Sequence, residues 1–327
     1  MIISRTPLRM SFAGGGSDIA SYYRHFGGAV ISTAINKYVY VNVNPKFDSG
    51  IRVGYSKNEE VLNVSDIEHK IVREALIHLD IDGGIEITTI ADIPSKGTGL
   101  GSSSTFTVGL LHALNAFKGQ YISSERLAQD ACYVEIEKCG APIGKQDQYA
   151  AAYGGLNLIH FNSDDSVVVN PIICDIKTIK TIESNILVFY TGITRSASNL
   201  LLIQSQIMQS DAGKQATMHK MVGLANTLAE EIRNNNPNVF GEILHEGWML
   251  KKTILNEISN NGIDEWYQIA RNAGAKGGRI LGAGAGGFLM LAAPPESHEY
   301  IKSKLHMLRH IPMSFDRTGS RIIFYKN

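Results

Sequence analysis

A run rich in glycine and serine holds the residues of this sequence whose types and spacing best suit chemistry. Residues 94–104 read PSKGTGLGSSS, and an amphipathic stretch at 105–117 follows directly. Glycine lets the backbone turn so that its N–H groups face a ligand. Serine favours the start of a helix, where the helix dipole attracts negative charge. We therefore predict a phosphate cradle whose serines cap a helix over 105–117.

Two common phosphate-binding patterns do not fit this run. The G-x-x-x-x-G-K-[ST] loop requires a lysine after its last glycine, whereas a serine follows Gly101. The G-x-G-x-x-G fingerprint requires a glycine where this chain has Ser104. A flexible linker is the plainer alternative, but a linker would not place Leu100 among the glycines immediately before a helix. These differences favour a nucleotide kinase that is neither Ras-like nor dinucleotide-binding.

Three further segments carry groups with chemical potential. The first contains Arg9 and the sequence GGGSD, which ends at Asp18. The second contains Glu135 and, after a gap, the sequence QDQ around Asp147. The third is GAGAGG at 282–287, which precedes an apolar stretch. Taken alone, each has a plainer interpretation as a turn, a solvated cap or a surface charge.

Taken together, the segments resemble the GHMP kinases, the family of galactokinase, homoserine kinase, mevalonate kinase and phosphomevalonate kinase. The family signature G-L-G-S-S-[AS], with a proline before it, is matched by Pro94 and residues 99–104. The early family pattern is matched by Pro7, Arg9, Gly14 and Asp18, and residues 282–287 match the third motif. Motif order agrees from end to end, so the resemblance covers nearly the whole chain.

The resemblance implies a phosphotransferase that uses ATP and Mg²⁺. Asp147 would accept or orient the proton of the acceptor hydroxyl, and Arg9 beside it would offset charge on the transferring phosphoryl group. Ser103 and Glu135 would hold Mg²⁺, which keeps waters and phosphate oxygens in its shell. The implied ATP site consists of Pro94, Lys96, Gly97, Gly99, Leu100, Gly101, Ser102, Ser103 and Ser104.

Within the family, the chain is most similar to kinases of D-glycero-D-manno-heptose 7-phosphate. The similarity lies in RTPLR at 5–9, FAGGGSD at 12–18 and GKQDQYAAAYGGLN at 144–157. It implies transfer to the C1 hydroxyl, which gives the 1,7-bisphosphate for nucleotide-activated heptose biosynthesis. The implied acceptor site consists of Gly15, Gly16, Ser17 and Asp18, with Arg195, Lys145 and Lys37 as candidate cations for the 7-phosphate.

Two other functions remain open on these residues. One is a different sugar 1-kinase, similar to fucokinase or galactokinase, although galactokinases have Glu-His where this chain has Gly15 and Gly16. The other is a non-catalytic sugar sensor built on a kinase scaffold. A sensor would be free to lose the groups that catalysis needs, and this chain keeps all four of them: Arg9, Ser103, Glu135 and Asp147.

Hydrophobic periodicity predicts the elements that position these residues. We predict strands at 1–13, 29–44, 85–90, 156–161, 165–173, 186–190 and 288–292, with further strand pieces in 311–325. We predict helices after a capping box at 65–68, from 124 to near 140, and from 198 to 272 with a break at Pro237. Residues 140–155 are predicted to be a loop flowing into a small-residue stretch.

This order predicts an α+β chain with the two-domain GHMP kinase fold. The expected domains are a ribosomal S5 domain 2-like N-terminal domain at 1–180 and a ferredoxin-like C-terminal domain at 181–327. The 327 residues are 44% hydrophobic and 19% charged, which suits two cores. The active site is expected in the cleft between the domains.

Charge and cysteine content restrict the partners and the compartment. Lys plus Arg number 31 and Asp plus Glu number 31, so no net field attracts nucleic acid or an anionic membrane. The three cysteines form no C-x-x-C pair, which suits a reducing compartment. With no apolar run of about 20 residues and no leader pattern, we predict a cytoplasmic enzyme whose partners are ATP and a sugar phosphate, with a homodimer as its candidate assembly.

Overall fold

The computed structural model describes residues 1–94, 99–193 and 197–326 and combines two sheets with eleven α-helices among them. The helices are α1 (Ala20–Phe26), α2 (Lys70–His78), α3 (Ser102–Phe117), α4 (Ser124–Cys132), α5 (Gln146–Tyr153), α6 (Ile176–Ser184), α7 (Ala197–Ser210), α8 (Ala212–Arg233), α9 (Phe240–Ile254), α10 (Asn261–Asn272) and α11 (His298–Lys304). The strands are β1 (Ile2–Ala13), β2 (Gly28–Pro45), β3 (Ile51–Gly54), β4 (Asn58–Val61), β5 (Ile85–Ala91), β6 (Leu156–Phe161), β7 (Val167–Pro171), β8 (Ile186–Tyr190), β9 (Gly277–Ile280), β10 (Phe288–Ala292), β11 (Arg309–His310), β12 (Phe315–Asp316) and β13 (Arg321–Tyr325).

The first sheet is built around the two long strands β1 and β2. Its main path is β13-β1-β2-β5-β3-β4, and β6 and β12 also pair with β2. Strands β12 and β13 come from the end of the chain, so the sheet that begins at residue 2 is completed by residues 315–325. The predicted boundary at residue 180 stays a prediction, and these last strands belong to the first sheet.

The second sheet has the order β11-β8-β10-β9, and every neighbouring pair is antiparallel. Along the chain its strands come as β8, helices, β9, β10, α11 and β11. This is the β-α-β-β-α-β succession of the ferredoxin-like arrangement. The predicted α+β class is confirmed.

Helix α3 lies in the core between the first sheet and helices α4 and α5. Eleven of its residues, polar ones among them, are buried, so the helix is enclosed on most sides and does not have the one buried face of an amphipathic helix. Its N-cap is Gly101 in the left-handed region, without a side-chain cap. The prediction that serines cap a helix from 105 is therefore wrong. Residues 102–104 form the first turn, and the Ser103 hydroxyl bonds to a side chain of another element.

Several other predicted elements differ from the structure. Ser65 does not cap α2; His69 does, because its Nδ1 accepts from the backbone N–H of Val72. The predicted loop at 140–155 contains helix α5. Helix α4 ends at Cys132 and continues as a π-helical segment, Tyr133–Lys138. Elements β3, β4, α6, β9 and α11 were not predicted.

Among the described residues, no helix is long and apolar enough to cross a bilayer.

Candidate active site

An ion pair between β1 and α5 forms the centre of the site. Arg9 is 3% exposed. Its Nε donates to Asp147 Oδ1 at 2.6 Å, and its Nη2 donates to Asp147 Oδ2 at 2.8 Å. The Asp147 side chain keeps 22% of its surface exposed. Such a two-pronged contact fixes the carboxylate in one orientation and leaves it open to a ligand.

The same arginine holds the glycine-serine run. Its Nη1 donates to the carbonyl of Gly99 at 2.7 Å, and its backbone N–H donates to the carbonyl of Leu100 at 3.2 Å. Leu100 is fully buried and anchors the turn in the core. Pro94 is exposed. Two residues predicted for the ATP site, Lys96 and Gly97, lie outside the described residues.

Glycines allow three segments to meet beside Asp147. Gly99 and Gly101 have φ of 75° and 77°, values that side chains disfavour. A Cβ on Gly101 would lie 3.0 Å from Asp147 Oδ2. A Cβ on Gly282 would lie 2.5 Å from the Cα of Gly99. The 282–287 turn therefore packs directly on the glycine-serine run.

A second carboxylate, Glu135, lies on the other side of the α3 start. Ser103 Oγ donates to its Oε1 at 2.7 Å, and Gln148 Nε2 donates to its Oε2 at 2.6 Å. Glu135 is 2% exposed on the π-helical segment. Burial raises the pKa of this carboxyl, and the hydrogen bonds from Ser103, Ser104 and Gln148 oppose that rise.

The Ser103–Glu135 pair fits a magnesium ion bound mainly through a nucleotide. Magnesium needs only one or two carboxylates when phosphate and water fill the rest of its shell. A buried carboxylate bonded to a hydroxyl at a helix start offers that donor set. Within the described residues, no group of three acidic, histidine or cysteine side chains could hold a metal without a nucleotide.

Asp18 joins the glycine loop at 14–18 to the start of α5. Its Oδ1 accepts from the N–H of Gly16 at 3.0 Å and from Gln146 Nε2 at 3.1 Å. Its Oδ2 accepts from the N–H of Gln146 at 3.1 Å. A Cβ on Gly144 would lie 1.9 Å from that oxygen, so only glycine permits this contact. Burial, and then the charge of Asp147, raises the pKa of Asp18.

Other residues predicted to bind the acceptor also hold the loop. Ser17 Oγ both donates to the carbonyl and accepts from the N–H of Ala29, at 3.1 Å each, and ties the loop to β2. A Cβ on Gly16 would lie 2.2 Å from Gln204 Nε2 of α7. These contacts make the loop a rigid wall beside Asp18.

The candidate cations for a substrate phosphate are placed differently from one another. Lys145 Nζ lies 3.2 Å from Asp165 Oδ1 and 4.8 Å above the ring of Tyr23, so its charge is already paired. It lines a cavity of about 480 Å³ that also touches Asp18. Lys37 lies half-buried on β2. Arg195 lies outside the described residues.

The sequence analysis missed two buried basic residues at the site. Lys251 of α9 is 3% exposed, and its Nζ donates to the carbonyl of Gly282 at 2.6 Å. Burial and the charge of Arg279 lower the pKa of Lys251 well below its usual range. Arg279 of β9 is also 3% exposed, and its Nη1 donates to the carbonyl of Phe12 at 3.1 Å. In the sequence, Arg279 lies between two glycines and the apolar Ile280 and Leu281, directly before the third glycine motif. That position could have indicated that Arg279 is buried.

Comparison with known proteins places both halves of the chain in one family. Residues 67–155 match the GHMP kinases N terminal domain, and residues 228–306 match the GHMP kinases C terminal domain. The chain is 29% identical to D-glycero-alpha-D-manno-heptose 7-phosphate kinase of Campylobacter jejuni, over 90% of each protein. It is 25% identical to the bifunctional fucokinase/GDP-fucose pyrophosphorylase of Arabidopsis thaliana, over 91% of this chain and 30% of that protein.

A solved structure extends the similarity to the whole fold. A D-glycero-D-manno-heptose 1-phosphate kinase from Bacteroides thetaiotaomicron superposes with a TM-score of 0.82 at 25% identity and covers 100% of both chains. With the ion pair, the glycine turn and both domain matches in place, the chain belongs to the GHMP kinase family and is an ATP-dependent phosphotransferase.

Proposed function

We propose that this sugar kinase transfers the γ-phosphate of ATP to the C1 hydroxyl of D-glycero-D-manno-heptose 7-phosphate. The product would be the 1,7-bisphosphate, an intermediate for nucleotide-activated heptose in the cytoplasm. The main support is the Arg9–Asp147 pair, set between the glycine-serine turn and the wall at 14–18. Similarity to the Campylobacter jejuni enzyme over 90% of both chains supports this acceptor.

Asp147 acts on the acceptor hydroxyl in this proposal. Phosphoryl transfer depends on positioning and charge neutralisation more than on covalent steps. The exposed part of Asp147 accepts or orients the hydroxyl proton, while both carboxylate oxygens stay fixed by Arg9. An anomeric hydroxyl is more acidic than an ordinary alcohol, so a carboxylate suffices as its partner.

The start of α3 receives the nucleotide phosphates. The backbone N–H groups at 99–104 and the positive end of a sixteen-residue helix offer donors to the phosphate oxygens. Ser103 and Glu135 would hold the Mg²⁺ that reduces the negative charge of those phosphates. Arg9 contacts both the turn and Asp147, so it aligns the donor side with the acceptor side.

A different sugar 1-kinase is the second candidate. The match to fucokinase covers 91% of this chain, and fucose carries no phosphate. The two heptose kinases also differ by name in the position of the phosphate, 7 in one and 1 in the other. The identity of the acceptor and the position of the new phosphate are therefore both to be measured directly.

A screen of ADP release tests the proposal. D-glycero-D-manno-heptose 7-phosphate, its free heptose, fucose, galactose and mevalonate are compared at equal concentration. We expect the heptose phosphate to have the highest kcat/KM, and phosphorus NMR of the product to show a new phosphate on C1. A preference for fucose or galactose, or a phosphate on another carbon, would overturn the proposal. The D147N variant is the control for contaminating kinases.

A further inference from the structure

An unpaired donor, Arg279 Nη2, lies beside Gly15 in the loop at 14–18. This nitrogen is buried and has no hydrogen-bond partner among the described residues. The other guanidinium nitrogens of Arg279 donate to carbonyls, those of Phe12 at 3.1 Å and Ile280 at 3.3 Å. A buried charge is costly unless it is paired, so an unpaired guanidinium nitrogen calls for a partner from outside the chain.

Three hydrogen-bond donors converge at Gly15. The Cβ position of this glycine lies 3.6 Å from Arg279 Nη2, 3.8 Å from Ser11 Oγ and 3.9 Å from Gln146 Nε2. Gly15 carries no side chain that would cover these groups, and a guanidinium, a hydroxyl and an amide are suited to the oxygens of a phosphate. We call this set, Ser11, Gly15, Gln146 and Arg279, the Gly15 subsite.

The Arg279 guanidinium of the Gly15 subsite has no carboxylate partner among the described residues. Arg9 is bonded to Asp147, but neither Arg279 nor Lys251 bonds to a carboxylate among the described residues. Burial and the charge of Arg9 lower the pKa of Arg279 to about 10. Asp18 makes no hydrogen bond to Lys251 and attracts it only from a distance. Both carboxylate oxygens of Asp18 accept hydrogen bonds from Gly16 and Gln146. A bound anion would therefore offset buried positive charge.

We propose that the Gly15 subsite, through Arg279, binds the phosphate that the acceptor sugar already carries, and so selects a phosphorylated sugar. This inference rests on the proposed sugar kinase function. The acceptor phosphate is favoured over the transferring phosphate because the subsite belongs to the loop at 14–18 and to Gln146, which bonds to Asp18. The nucleotide phosphates are expected at 99–104. Lys145 is a weaker candidate because Asp165 already pairs with it.

The first experiment compares a phosphorylated and a free sugar on the Arg279→Met and Arg279→Lys variants. For wild type, kcat/KM should be higher for heptose 7-phosphate than for free heptose. We expect Arg279→Met to reduce that ratio by about tenfold or more, because it removes a hydrogen bond to a charged group. The KM for ATP should stay within about twofold of the wild-type value. Arg279→Lys should restore part of the ratio. An equal loss with both sugars, or a change confined to ATP, would overturn the inference.

A second variant removes the risk that a buried arginine is needed for folding. Gly15 is not in the left-handed region, and an alanine Cβ there would touch the three donors without a clash. Gly15→Ala should therefore keep the melting temperature while it reduces the same ratio. Gly223→Ala in α8, whose Cβ meets nothing within 4 Å, is the matched control. An unchanged ratio in a folded Gly15→Ala protein would show that only water fills the subsite.

The outcomes for the inference and for the proposed function differ. If wild type phosphorylates no sugar, the proposed function fails. If wild type phosphorylates free and phosphorylated heptose equally well, the function stands and the Gly15 subsite loses its assigned role.

Discussion

Two carboxylates flank the start of α3, and their surroundings are opposite. Asp147 is partly exposed and faces a permanent cation, Arg9, at 2.6 and 2.8 Å. Glu135 is 2% exposed, and its hydrogen-bond donors are hydroxyls and an amide, from Ser103, Ser104 and Gln148. The first carboxylate has its counter-charge built into the protein. The second bonds to no cation within the described part of the chain, which suits the magnesium ion that we propose binds here together with the nucleotide.

This contrast supports the different tasks that we propose for the two carboxylates. A carboxylate with a built-in partner keeps the same orientation whether or not substrates are bound, which suits a group that must meet the acceptor hydroxyl. A carboxylate without one gains most from a metal ion, because the metal offsets the cost of burial. Substitutions of Asp147, Arg9 and Glu135 separate these tasks, and the loss of turnover is expected to be largest for Asp147.

Asp147→Asn should give the largest loss. The amide cannot accept the hydroxyl proton, so we expect kcat to fall by about two or more orders of magnitude. The nucleotide site at 99–104 is untouched, so the Kd for ATP measured by calorimetry should change by less than about twofold. Near-normal turnover would remove Asp147 from any role in proton transfer.

Arg9→Lys tests whether orientation matters beyond charge. Lysine keeps the positive charge but cannot bond to both oxygens of Asp147 and to Gly99 together. We expect kcat to fall by about tenfold, a smaller loss than for Asp147→Asn. The control is Arg52→Lys, because Arg52 of β3 forms a half-exposed ion pair with Glu86 of β5. This variant should behave as wild type. If the two lysine variants have the same kcat, the two-pronged contact is not needed for catalysis.

Glu135→Gln tests the metal side of the comparison. Loss of the carboxylate should raise the Mg²⁺ concentration for half-maximal activity by about tenfold or more. Glu137→Gln on the same π-helical segment is exposed and provides the matched control. An identical Mg²⁺ requirement in both variants would reassign Glu135 to a structural role.

The same Glu135→Gln variant should be more stable than wild type when no nucleotide or metal is bound. Burial raises the pKa of Glu135, so the folded state binds the proton more tightly than the unfolded state, and wild-type stability rises as pH falls through that raised pKa. Glutamine carries no charge, and Gln148 Oε1, which has no partner among the described residues, can accept from it.

A thermal melt series measures this last effect. At pH 8 the melting temperature of Glu135→Gln should exceed that of wild type. The shift should be about 2–4 °C for each kcal/mol gained in the free energy of unfolding. The gap should shrink as the pH is lowered through the raised pKa. A gap that stays constant with pH, or a variant less stable at every pH, would contradict the account of Glu135 as an unpaired buried charge.

The short motifs made the centre of the site predictable from sequence. Arg9 meets Asp147, and Ser103 meets Glu135, although 138 and 32 residues separate them along the chain. The motif order that resembles the GHMP kinases carries this long-range information. Periodicity alone predicts most strands because they alternate or form apolar runs, as at 186–190.

The features that the sequence did not predict depend on tertiary contacts, which local patterns do not encode. The serines at 102–104 follow the general preference for caps, but Gly101 takes the cap because only glycine fits against Asp147 at that φ. The π-helical turn at 133–138 has no local signature. Arg279 and Lys251 look like ordinary basic residues, and only the folded chain shows that both are buried.

The return of the chain end to the first sheet affects how the protein is made. Until β13 emerges from the ribosome, residues 2–5 of β1 form an open edge with free backbone groups. Synthesis at about 5–20 residues per second separates β1, which ends at 13, from β13, which starts at 321, by a delay on the order of tens of seconds. During that interval another chain can pair with the free edge of β1, so we expect efficient production to depend on protection of this edge until β13 is made.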